Sequence, residues 1–593
     1  MIRSAVKLFL SVCLTAGVAS VVWASDPPAS PETPPAAAPT AVDIAKLKAK
    51  LEEQQKQVEK LKAELEEQLK MLEQAGAAAP AAPAASTSAP AAVSASATPA
   101  APAPTAASGT PQKKPYVGSL TASTVPFVQP APPADNSPFS TPVPRSPASL
   151  QGPAGEPASP LQLKIGETTI TPIGFMDMTE VFRSADSGSG IGTNFGSIVY
   201  NNNFPNARLT ESRFNIQNSR IGARFDTTVH GAKITGYWES DFLGGSSSNA
   251  LSVTNNAFVL RARLYWVDVR KDKFEFLAGQ SWSLMTPGRN GISPLPGDVF
   301  YTQDMDVNYN AGLVWGRIPG FRFVYHPSDT VAMAVSVENA DQYFGGSGGG
   351  ASPTLPSGLP STFVNQLDNA SNYSQTPNLI PDIIAKIAFD PKTGPLHQHI
   401  EIAGVYSEFK TYNQLTNNHY TSPAAGGSVN MNFEVAKNFH PIINTFWSDG
   451  EGRYMFGTIP DLAIRPDGSI SPIHTWATLD GFEATFKNSL LFGYFGIYYG
   501  GQDSIVDTNG KFVGYGFPGS ANSNNRIMQE PTFGWIQTLW KDPRWGALQT
   551  IFQYSWINRY PWAVLAGQPK DAHNSTIFLD VRYTLPGSAP SWH

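Results

Sequence analysis

Residues 219–242 read SRIGARFDTTVHGAKITGYWESDF, two alternating runs on either side of a His-Gly pair. Before the pair, Ile221, Ala223 and Phe225 alternate with polar and charged residues, and after it apolar residues again alternate with charged ones. A period of two predicts β-strands with one apolar and one polar face, here joined as a hairpin. The hairpin alone leaves open which face meets the interior. A soluble sandwich buries the apolar face, whereas a membrane barrel turns it toward lipid.

From about Leu161 to the end of the chain, similar strands are separated by alternating short and long polar connections. We predict short connections at 227–231, 269–273, 326–330, 390–398, 438–441, 487–489 and 541–546. We predict long ones near 184–207, 244–256, 286–308, 340–380, 411–428, 449–471, 501–530 and 560–574. Short turns at one end and long loops at the other are typical of outer-membrane barrels. The pattern therefore predicts an all-β transmembrane barrel of about sixteen antiparallel strands over residues 161–593, with charged side chains around a water-filled lumen.

The composition narrows the class of protein. The chain has 593 residues, of which 15% are charged, and a formal net charge of -6. A mildly acidic chain without a basic stripe argues against nucleic acid as a partner, because binding phosphates needs a basic surface. Past residue 24, no stretch reaches the roughly 18 consecutive apolar residues that a membrane-spanning helix requires. Strands that cross a membrane are half polar, so this absence does not exclude a barrel.

Residues 1–24 have the features of a secretory signal. Arg3 and Lys7 precede an apolar run, and Val22 and Ala24 suit the positions before a cleavage site. The single cysteine, Cys13, lies inside this segment, so the mature chain is expected to contain no disulfide. Lipid attachment at Cys13 is the alternative, and it is disfavoured because the preceding valine is larger than the usual Gly or Ala.

Three further segments precede the barrel. Residues 25–43 are predicted to be a linker. Residues 44–73 keep a heptad pattern with Leu, Ile and Val at the core positions, which predicts an α-helical coiled coil; an isolated solvated helix is the alternative. Gln54 and Gln68 also occupy core positions and would set the register, but they do not determine the number of helices. Residues 74–160 are rich in Pro and Ala and predict a disordered spacer, because they contain too little apolar surface to offset the entropy of ordering.

Several segments together resemble the DcaP-like porins. They are the quoted hairpin and, in order, LRARLYWVDV, FLAGQSWSLMTP, VAMAVSVEN, PDIIAKIAF and GEGRYMF. The resemblance covers the chain from about residue 165 to the end and the helix in front, although the spacer here is unusually long. It implies a homotrimer of sixteen-stranded barrels in the outer membrane of a Gram-negative bacterium, in contact with its lipid, with the coiled coil in the periplasm.

In porins that resemble this chain, the third long loop, here 286–308, folds into the lumen and narrows it. This loop contains Asp298, Asp304 and Asp306. The basic residues predicted to face inward from the wall are Arg220, Arg224, Lys233, Arg261, Arg263 and Arg322. A basic wall opposite an acidic loop predicts an electric field across the lumen. A guanidinium group can also donate hydrogen bonds to both oxygens of a carboxylate at once. We therefore expect passive diffusion of small hydrophilic solutes, with a preference for anions such as dicarboxylates. Alternatively, these arginines pair with Glu239 or Asp241 to hold the wall.

Two rival functions belong to other classes. The first is a secreted all-β carbohydrate-active enzyme or binding protein. The chain contains no G-x-S-x-G, H-E-x-x-H or P-loop motif, so the sequence predicts no enzyme, although a pair of catalytic carboxylates is not excluded. The second is a structural envelope tether, in which the N-terminal segment contacts peptidoglycan or periplasmic proteins and the barrel only anchors it. The long spacer would serve either a tether or a porin.

Two pairs of residues are candidate metal ligands. His397 and His399 flank a predicted short turn without a third ligand nearby, so we expect them to bind no metal. Asp304 and Asp306 suit Ca²⁺, which prefers carboxylate and carbonyl oxygens. Ca²⁺ at these two residues is the one cofactor that the sequence leaves open.

Overall fold

The computed structural model describes Lys56 and residues 161–586, the latter with gaps at 188, 200–204, 245–250, 253–254, 257, 296–300, 308, 348–349, 370–377, 379, 392–393, 395 and 565–566. The predicted signal peptide (1–24), linker (25–43) and spacer (74–160) lie outside the described residues. Of the predicted coiled coil (44–73), only Lys56 is described, in a helix. No helix in the described part of the chain is long and apolar enough to cross a membrane.

Sixteen antiparallel strands form one closed barrel. They are β1 (Thr168–Arg183), β2 (Arg220–Val229), β3 (Ala232–Gly244), β4 (Val259–Lys271), β5 (Phe274–Trp282), β6 (Arg317–Ser328), β7 (Val331–Glu338), β8 (Asp382–Phe389), β9 (Gln398–Asn413), β10 (Asn418–Phe433), β11 (Phe439–Asp449), β12 (His474–Phe486), β13 (Ser489–Gly500), β14 (Asn525–Asp542), β15 (Gly546–Pro561) and β16 (Ala572–Thr584). Each strand pairs with the next, and β16 pairs with β1 from Phe175↔Thr584 to Arg183↔Thr576. This last pairing closes the barrel and leaves it without an open edge.

Short elements complete the fold. Leu163–Ile165 pairs with the start of β1, and Glu211–Asn215 pairs with its end, continuing the line of β2. Within the long connections lie the strand pairs Leu251–Ser252 with Asn255–Asn256, Leu462–Ile464 with Ile470–Pro472, and Asp503–Val506 with Phe512–Tyr515. Within the described ranges, 3-10 helices span Phe195–Ser197, Pro205–Arg208, Ser361–Gln366 and Gly452–Tyr454.

The apolar face of the strands points outward. On β7, Met333, Val335 and Val337 are between 40% and 49% exposed, whereas Ser336 and Glu338, on the other face, are buried. The hairpin of β2 and β3 follows the same rule. Ile221 and Phe225 are exposed on the outside, whereas the inward-facing side chains of Arg220, Glu239 and Asp241 are buried. On these strands the charged residues therefore face the interior, and the apolar residues cover the outside.

A bulge in β4 reverses this rule for part of one strand. From the alternation, Trp266 is expected to point outward and Tyr265 inward. In the structure the pairing with β3 shifts by one residue at Arg263, so that Tyr265 is 67% exposed and Trp266 is buried. The Trp266 ring stacks on Tyr237, with ring centroids 5.1 Å apart. One extra residue in a strand sends every later side chain to the opposite face, which explains the difference.

The predicted long connection at 411–428 is not a loop. Strands β9 and β10 pair from Gln398↔Phe433 to Asn413↔Asn418, so only a tight turn joins them. Beyond the pairing of β9 with β8, the backbone N–H groups of Lys410 and Tyr412 donate hydrogen bonds to the side chains of Gln342 and Gln366. The two glutamine side chains thus accept hydrogen bonds from the edge of β9 that β8 does not reach. This allows the polar end of β9 to remain a strand. The other connections alternate between short and long as predicted.

Loops occupy much of the lumen. An apolar cluster inside the barrel includes Phe195, Met285 and Tyr454 from three different long connections. They pack against small inward-facing wall residues such as Ala334 and Ala388. Because alanines line this part of the wall, the interior has room for loop side chains. The lumen is thus narrower than the water-filled tube expected from the number of strands alone.

Candidate constriction site

The third long loop comprises residues 283–316, between β5 and β6. Its two ends meet where the Ser283 N–H donates to the Gly316 carbonyl at 2.8 Å. Between these ends the loop contacts β8 and β9 and then β12 to β15. Because β13 and β14 lie eight positions from β5 and β6 in the ring of sixteen strands, the loop crosses the lumen. The expectation that this loop folds inward agrees with these contacts.

The first leg of the loop, residues 286–292, is held by charged wall side chains. The Lys386 Nζ donates to the Thr286 carbonyl at 2.8 Å, and the Gly288 N–H donates to Glu401 at 3.0 Å.

Arg289 binds the same leg to β12. Its two terminal nitrogens each donate a hydrogen bond to one oxygen of Glu483, at 2.6 and 2.8 Å. Burial opposes the charge of Arg289, but the Glu483 carboxylate outweighs burial and raises the pKa of the guanidinium. This leg is therefore bound through ionised groups.

The second leg, which includes Ala311 and Leu313, lies on the wall opposite β5 and β6, the two strands that the loop joins. The Ala311 N–H donates to Glu530 at 2.7 Å, and the Tyr498 hydroxyl donates to the Leu313 carbonyl at 2.6 Å. A Cβ added at Gly496 of β13 would lie 1.6 Å from the Ala311 carbonyl oxygen. Only a glycine at position 496 lets the loop backbone approach the wall this closely.

Of the three aspartates predicted for the constriction, Asp298 lies outside the described residues. Asp304 and Asp306 are buried at 2% and 1% exposure, and the Thr193 N–H donates to Asp306 at 3.2 Å. Burial, then the charges of Glu530 and Asp306, raise the pKa of Asp304 well above its usual range. This shift favours the protonated carboxyl and weakens the acidic side of the expected electric field across the lumen.

The sequence predicts no cofactor and leaves Ca²⁺ at Asp304 and Asp306 open, and this point stays a prediction. Among the described residues, no group of three or more His, Cys, Asp or Glu side chains is placed to hold a metal ion. Two carboxylates without a third such ligand would have to recruit carbonyl oxygens to complete a calcium shell.

The arginines of β2 and β4 form a network with the carboxylates of β3. Arg263 contacts Glu239 at 2.7 Å and Asp241 at 2.8 Å, while Arg261 pairs with Asp241 and Arg220 with Glu239. These pairs match the alternative interpretation, in which the arginines support the wall. Whether the arginines also line a channel stays a prediction.

The remaining predicted basic residues lie apart from this network. Arg224 pairs with Asp226 at 2.8 Å, and Lys233 lies beside the β2–β3 turn. Arg322 is buried and donates to the Trp282 carbonyl. Together with Lys386, Arg322 lines a small cavity under the first leg of the third long loop.

One cationic residue, Arg317, has no counterpart in the sequence-based prediction. It begins β6, next to the end of the third long loop, and its guanidinium lies 5.6 Å from the Trp282 ring centroid and 5.7 Å from that of Trp315. Among the described residues no carboxylate pairs with it. Its position at the end of a long loop gave no periodic signal, which is why the alternation did not identify it.

The two histidines considered as metal ligands contact the loop and its anchors. His397 Nε2 lies 2.9 Å from the Arg289 carbonyl oxygen. His399 Nδ1 lies 2.7 Å from Asp390, and its Nε2 lies 3.3 Å from Glu401. Both histidines therefore belong to the system that holds the third long loop.

No protein-family model and no curated protein sequence matches the chain. Among solved structures, the outer membrane channel DcaP of Acinetobacter baumannii is similar, with a TM-score of 0.51 and 16% identity over 71% of this chain and 98% of that chain. The anion-selective porin from Comamonas acidovorans has a TM-score of 0.39 and 12% identity over 70% of this chain and 100% of that chain. OmpT of Vibrio cholerae has a TM-score of 0.37 and 10% identity over 71% and 99%. The resemblance seen in the sequence is thus confirmed at the level of architecture: this barrel has the fold of the DcaP channel.

Proposed function

We propose that the protein is an outer-membrane channel for the passive diffusion of small hydrophilic solutes, with a preference for anions such as dicarboxylates. The observation that carries the proposal is the orientation of the wall. Large apolar side chains such as Phe321, Tyr265 and Val335 are exposed on the outside, while charged groups are buried inside. A protein surrounded by water would not expose so much apolar surface, whereas a barrel in lipid requires it.

The preference for anions rests on an excess of positive charge near the third long loop. Four guanidinium groups, those of Arg220, Arg261, Arg263 and Arg317, lie in this region: Glu239 and Asp241 pair with the first three, and among the described residues no carboxylate pairs with Arg317. The cluster therefore includes a positive charge, that of Arg317, that no carboxylate among the described residues neutralises. Arg261 is the most accessible of the first three, with 36% of its side chain exposed. Its guanidinium group can donate hydrogen bonds to both oxygens of a carboxylate at once, which favours carboxylate solutes.

Ion selectivity tests the anion preference. The purified protein is inserted into planar bilayers, and the reversal potential is measured across a KCl gradient and again with disodium succinate on one side. We expect an anion-selective current. The double variant Arg261→Gln, Arg317→Gln should move the permeability ratio toward unity while leaving the pair of Arg263 and Glu239 in place. A cation-selective wild type, or unchanged selectivity in the double variant, would remove the anion preference.

A surface arginine provides the matched control. Arg544 lies on the β14–β15 turn with 65% of its side chain exposed and pairs with Asp542. Arg544→Gln removes the same charge at a distance from the loop, and its selectivity should equal that of the wild type. Each variant is first checked for the shift in gel mobility on heating that folded outer-membrane barrels show.

We also propose a homotrimer in the outer membrane, with the coiled coil on the periplasmic side. The resemblance in sequence and the predicted heptads of residues 44–73 support this arrangement. The mass of the full chain in detergent should be that of three copies. Deleting residues 25–160 separates the channel from a tether that holds peptidoglycan or periplasmic proteins. A channel should still conduct ions after the deletion, whereas a pure tether should conduct no ions even as the full chain.

A further inference from the structure

One histidine contacts two carboxylates, those of Asp390 and Glu401, that accept hydrogen bonds from the backbone of the first leg of the third long loop. The Gly288 N–H donates to Glu401 Oε2 and the Gly291 N–H donates to Asp390 Oδ2, each at 3.0 Å. The other oxygens of the two carboxylates face a single ring, with His399 Nδ1 2.7 Å from Asp390 Oδ1 and Nε2 3.3 Å from Glu401 Oε1. His399 is completely buried.

The charge of this ring determines whether the arrangement is favourable. A neutral imidazole has one N–H, so its second nitrogen would turn a lone pair toward a carboxylate oxygen. Only the imidazolium offers an N–H to both Asp390 and Glu401. A proton on His399 therefore attracts both carboxylates, and loss of that proton replaces one attraction with a repulsion.

We propose that His399 is a positioning residue for the third long loop, and that its protonation keeps residues 286–292 on the wall. The ring does not touch the passing solute; it acts through Asp390 and Glu401, which hold the loop backbone. When the ring is deprotonated, both carboxylates lose their common support and the first leg loosens. The consequence for ion flow rests on the proposed channel function, whereas the effect on the loop does not.

Other charged groups face the same cluster. Lys386 contacts Glu401 at 3.1 Å, and Arg289 remains ionised through its pair with Glu483. Burial lowers the pKa of His397, so this second histidine stays neutral where an ordinary histidine begins to titrate. Histidine is the side chain whose charge changes nearest to neutral pH. Within this cluster, a transition that His399→Gln abolishes is therefore assigned to His399.

The first test is a pH profile of single-channel conductance and current noise. The full chain in planar bilayers is measured from about pH 5 to about pH 10, a range that contains the titration of histidine. We expect the wild type to pass from a quiet, lower conductance to a noisier, higher one as the pH rises. His399→Gln, which keeps a polar side chain but cannot be charged, should show the noisier state at every pH.

A matched histidine at the other end of the barrel serves as control. His474, at the start of β12, has 80% of its side chain exposed and pairs with Asp449. His474→Gln loses the same titratable group without touching the third long loop. Its pH profile should keep the wild-type transition.

The second test does not need a current. The only cysteine, Cys13, lies in the predicted signal peptide, so Ser293→Cys places a single thiol just beyond the first leg of the loop in the mature chain. Maleimide labelling of this thiol is compared at one pH below neutrality with His399 present and in the His399→Gln background. We expect severalfold faster labelling when the histidine is absent.

The outcomes separate this inference from the proposed function. If the wild type forms no channels, the proposed function fails and the labelling rates still decide the role of His399. If the protein conducts but a folded His399→Gln variant keeps the pH profile and the labelling rate of the wild type, the inference is overturned. If His399→Gln does not fold, Asp390→Asn is measured instead. It removes one of the two carboxylates, and unchanged labelling would overturn the inference equally.

Discussion

Arg289 on the third long loop and Glu483 on β12 form a two-pronged ion pair, with both terminal nitrogens of the arginine bound to both carboxylate oxygens. The pair is nearly closed to solvent, since 15% of the arginine side chain and 1% of the glutamate side chain are exposed. The Tyr494 hydroxyl also donates to Glu483 at 2.8 Å. The pair joins the loop to a strand remote from the loop's own origin and thereby determines how far the loop extends into the lumen.

Glu483→Gln should release the first leg and destabilise the barrel. The substitution leaves Arg289 buried without its counter-ion, which typically costs about 3–5 kcal/mol of the free energy of unfolding. We expect a drop at the lower end of that range in urea titrations monitored by tryptophan fluorescence in lipid vesicles, together with a higher single-channel conductance.

The double variant Arg289→Gln, Glu483→Gln distinguishes the two effects. It removes the stranded charge as well, so it should recover most of the lost stability while the conductance stays high. Equal conductance in the wild type and both variants would contradict the view that this pair positions the loop.

Gly496→Ala should displace the second leg without opening the barrel. The added methyl would overlap the Ala311 carbonyl, and the loop can move away from it more readily than β13 can, because β13 is paired on both sides. Overpacking of this kind costs about 1–3 kcal/mol. We expect altered conductance in bilayers and an unchanged far-UV spectrum of the barrel.

A second glycine provides the control for this substitution. Gly404 faces outward on β9, and a Cβ there would lie 3.7 Å from its nearest neighbour, the Gly426 carbonyl oxygen. Gly404→Ala should therefore change neither conductance nor stability. A Gly496→Ala channel indistinguishable from the Gly404→Ala channel would show that the loop does not depend on this approach.

The alternation of residues was enough to predict most of the wall, because the side-chain period of a strand is a local property. Val335 and Ser336 point to opposite faces as expected, and the turns fall where Gly, Asn, Asp and Pro cluster. The bulge at Arg263 was not predictable in this way. A bulge depends on how a strand pairs with its neighbour, and nothing in the alternation of β4 alone marks the extra residue.

The contacts of the third long loop were also not predicted from the sequence. Arg289 meets Glu483 and Ala311 meets Glu530 across about 200 residues of chain, and no local pattern relates such positions. The sequence did suggest that Arg261 and Arg263 belong together, and it named Glu239 and Asp241 as their possible partners. It did not reveal the excess charge at Arg317, because that residue emerges from a loop whose path only the folded barrel determines.

Asp341, in the connection between β7 and β8, should make stability depend on pH. Burial, followed by a hydrogen bond with the Asp368 carboxyl, raises the pKa of Asp341 to about 7. The folded protein therefore holds a proton that the unfolded chain releases near pH 4. The free energy of unfolding should fall as the pH rises from about 4 to about 7, and the loss should be complete above that range.

Urea titrations at pH 5 and pH 8 measure this dependence. We expect the wild type to lose about 1–3 kcal/mol between the two values, and Asp341→Asn to lose much less. Asp329→Asn, at the exposed β6–β7 turn, removes a carboxylate without such surroundings and should behave as the wild type. A slope that persists unchanged in Asp341→Asn would place the titrating group elsewhere.

Val335→Lys tests whether the outer face contacts lipid. Val335 lies in the middle of β7 with its side chain 49% exposed, so the substitution makes no new contact inside the barrel. In water an exposed lysine at this site would cost almost nothing. In a bilayer it costs about 2–4 kcal/mol near the midplane, because the ammonium group leaves water for hydrocarbon. We expect a drop of that size in the free energy of unfolding in lipid vesicles, with Val335→Leu unchanged. Because the same lysine would improve the solubility of a water-exposed sheet, a variant with full stability that stays monodisperse without detergent would argue for a soluble protein.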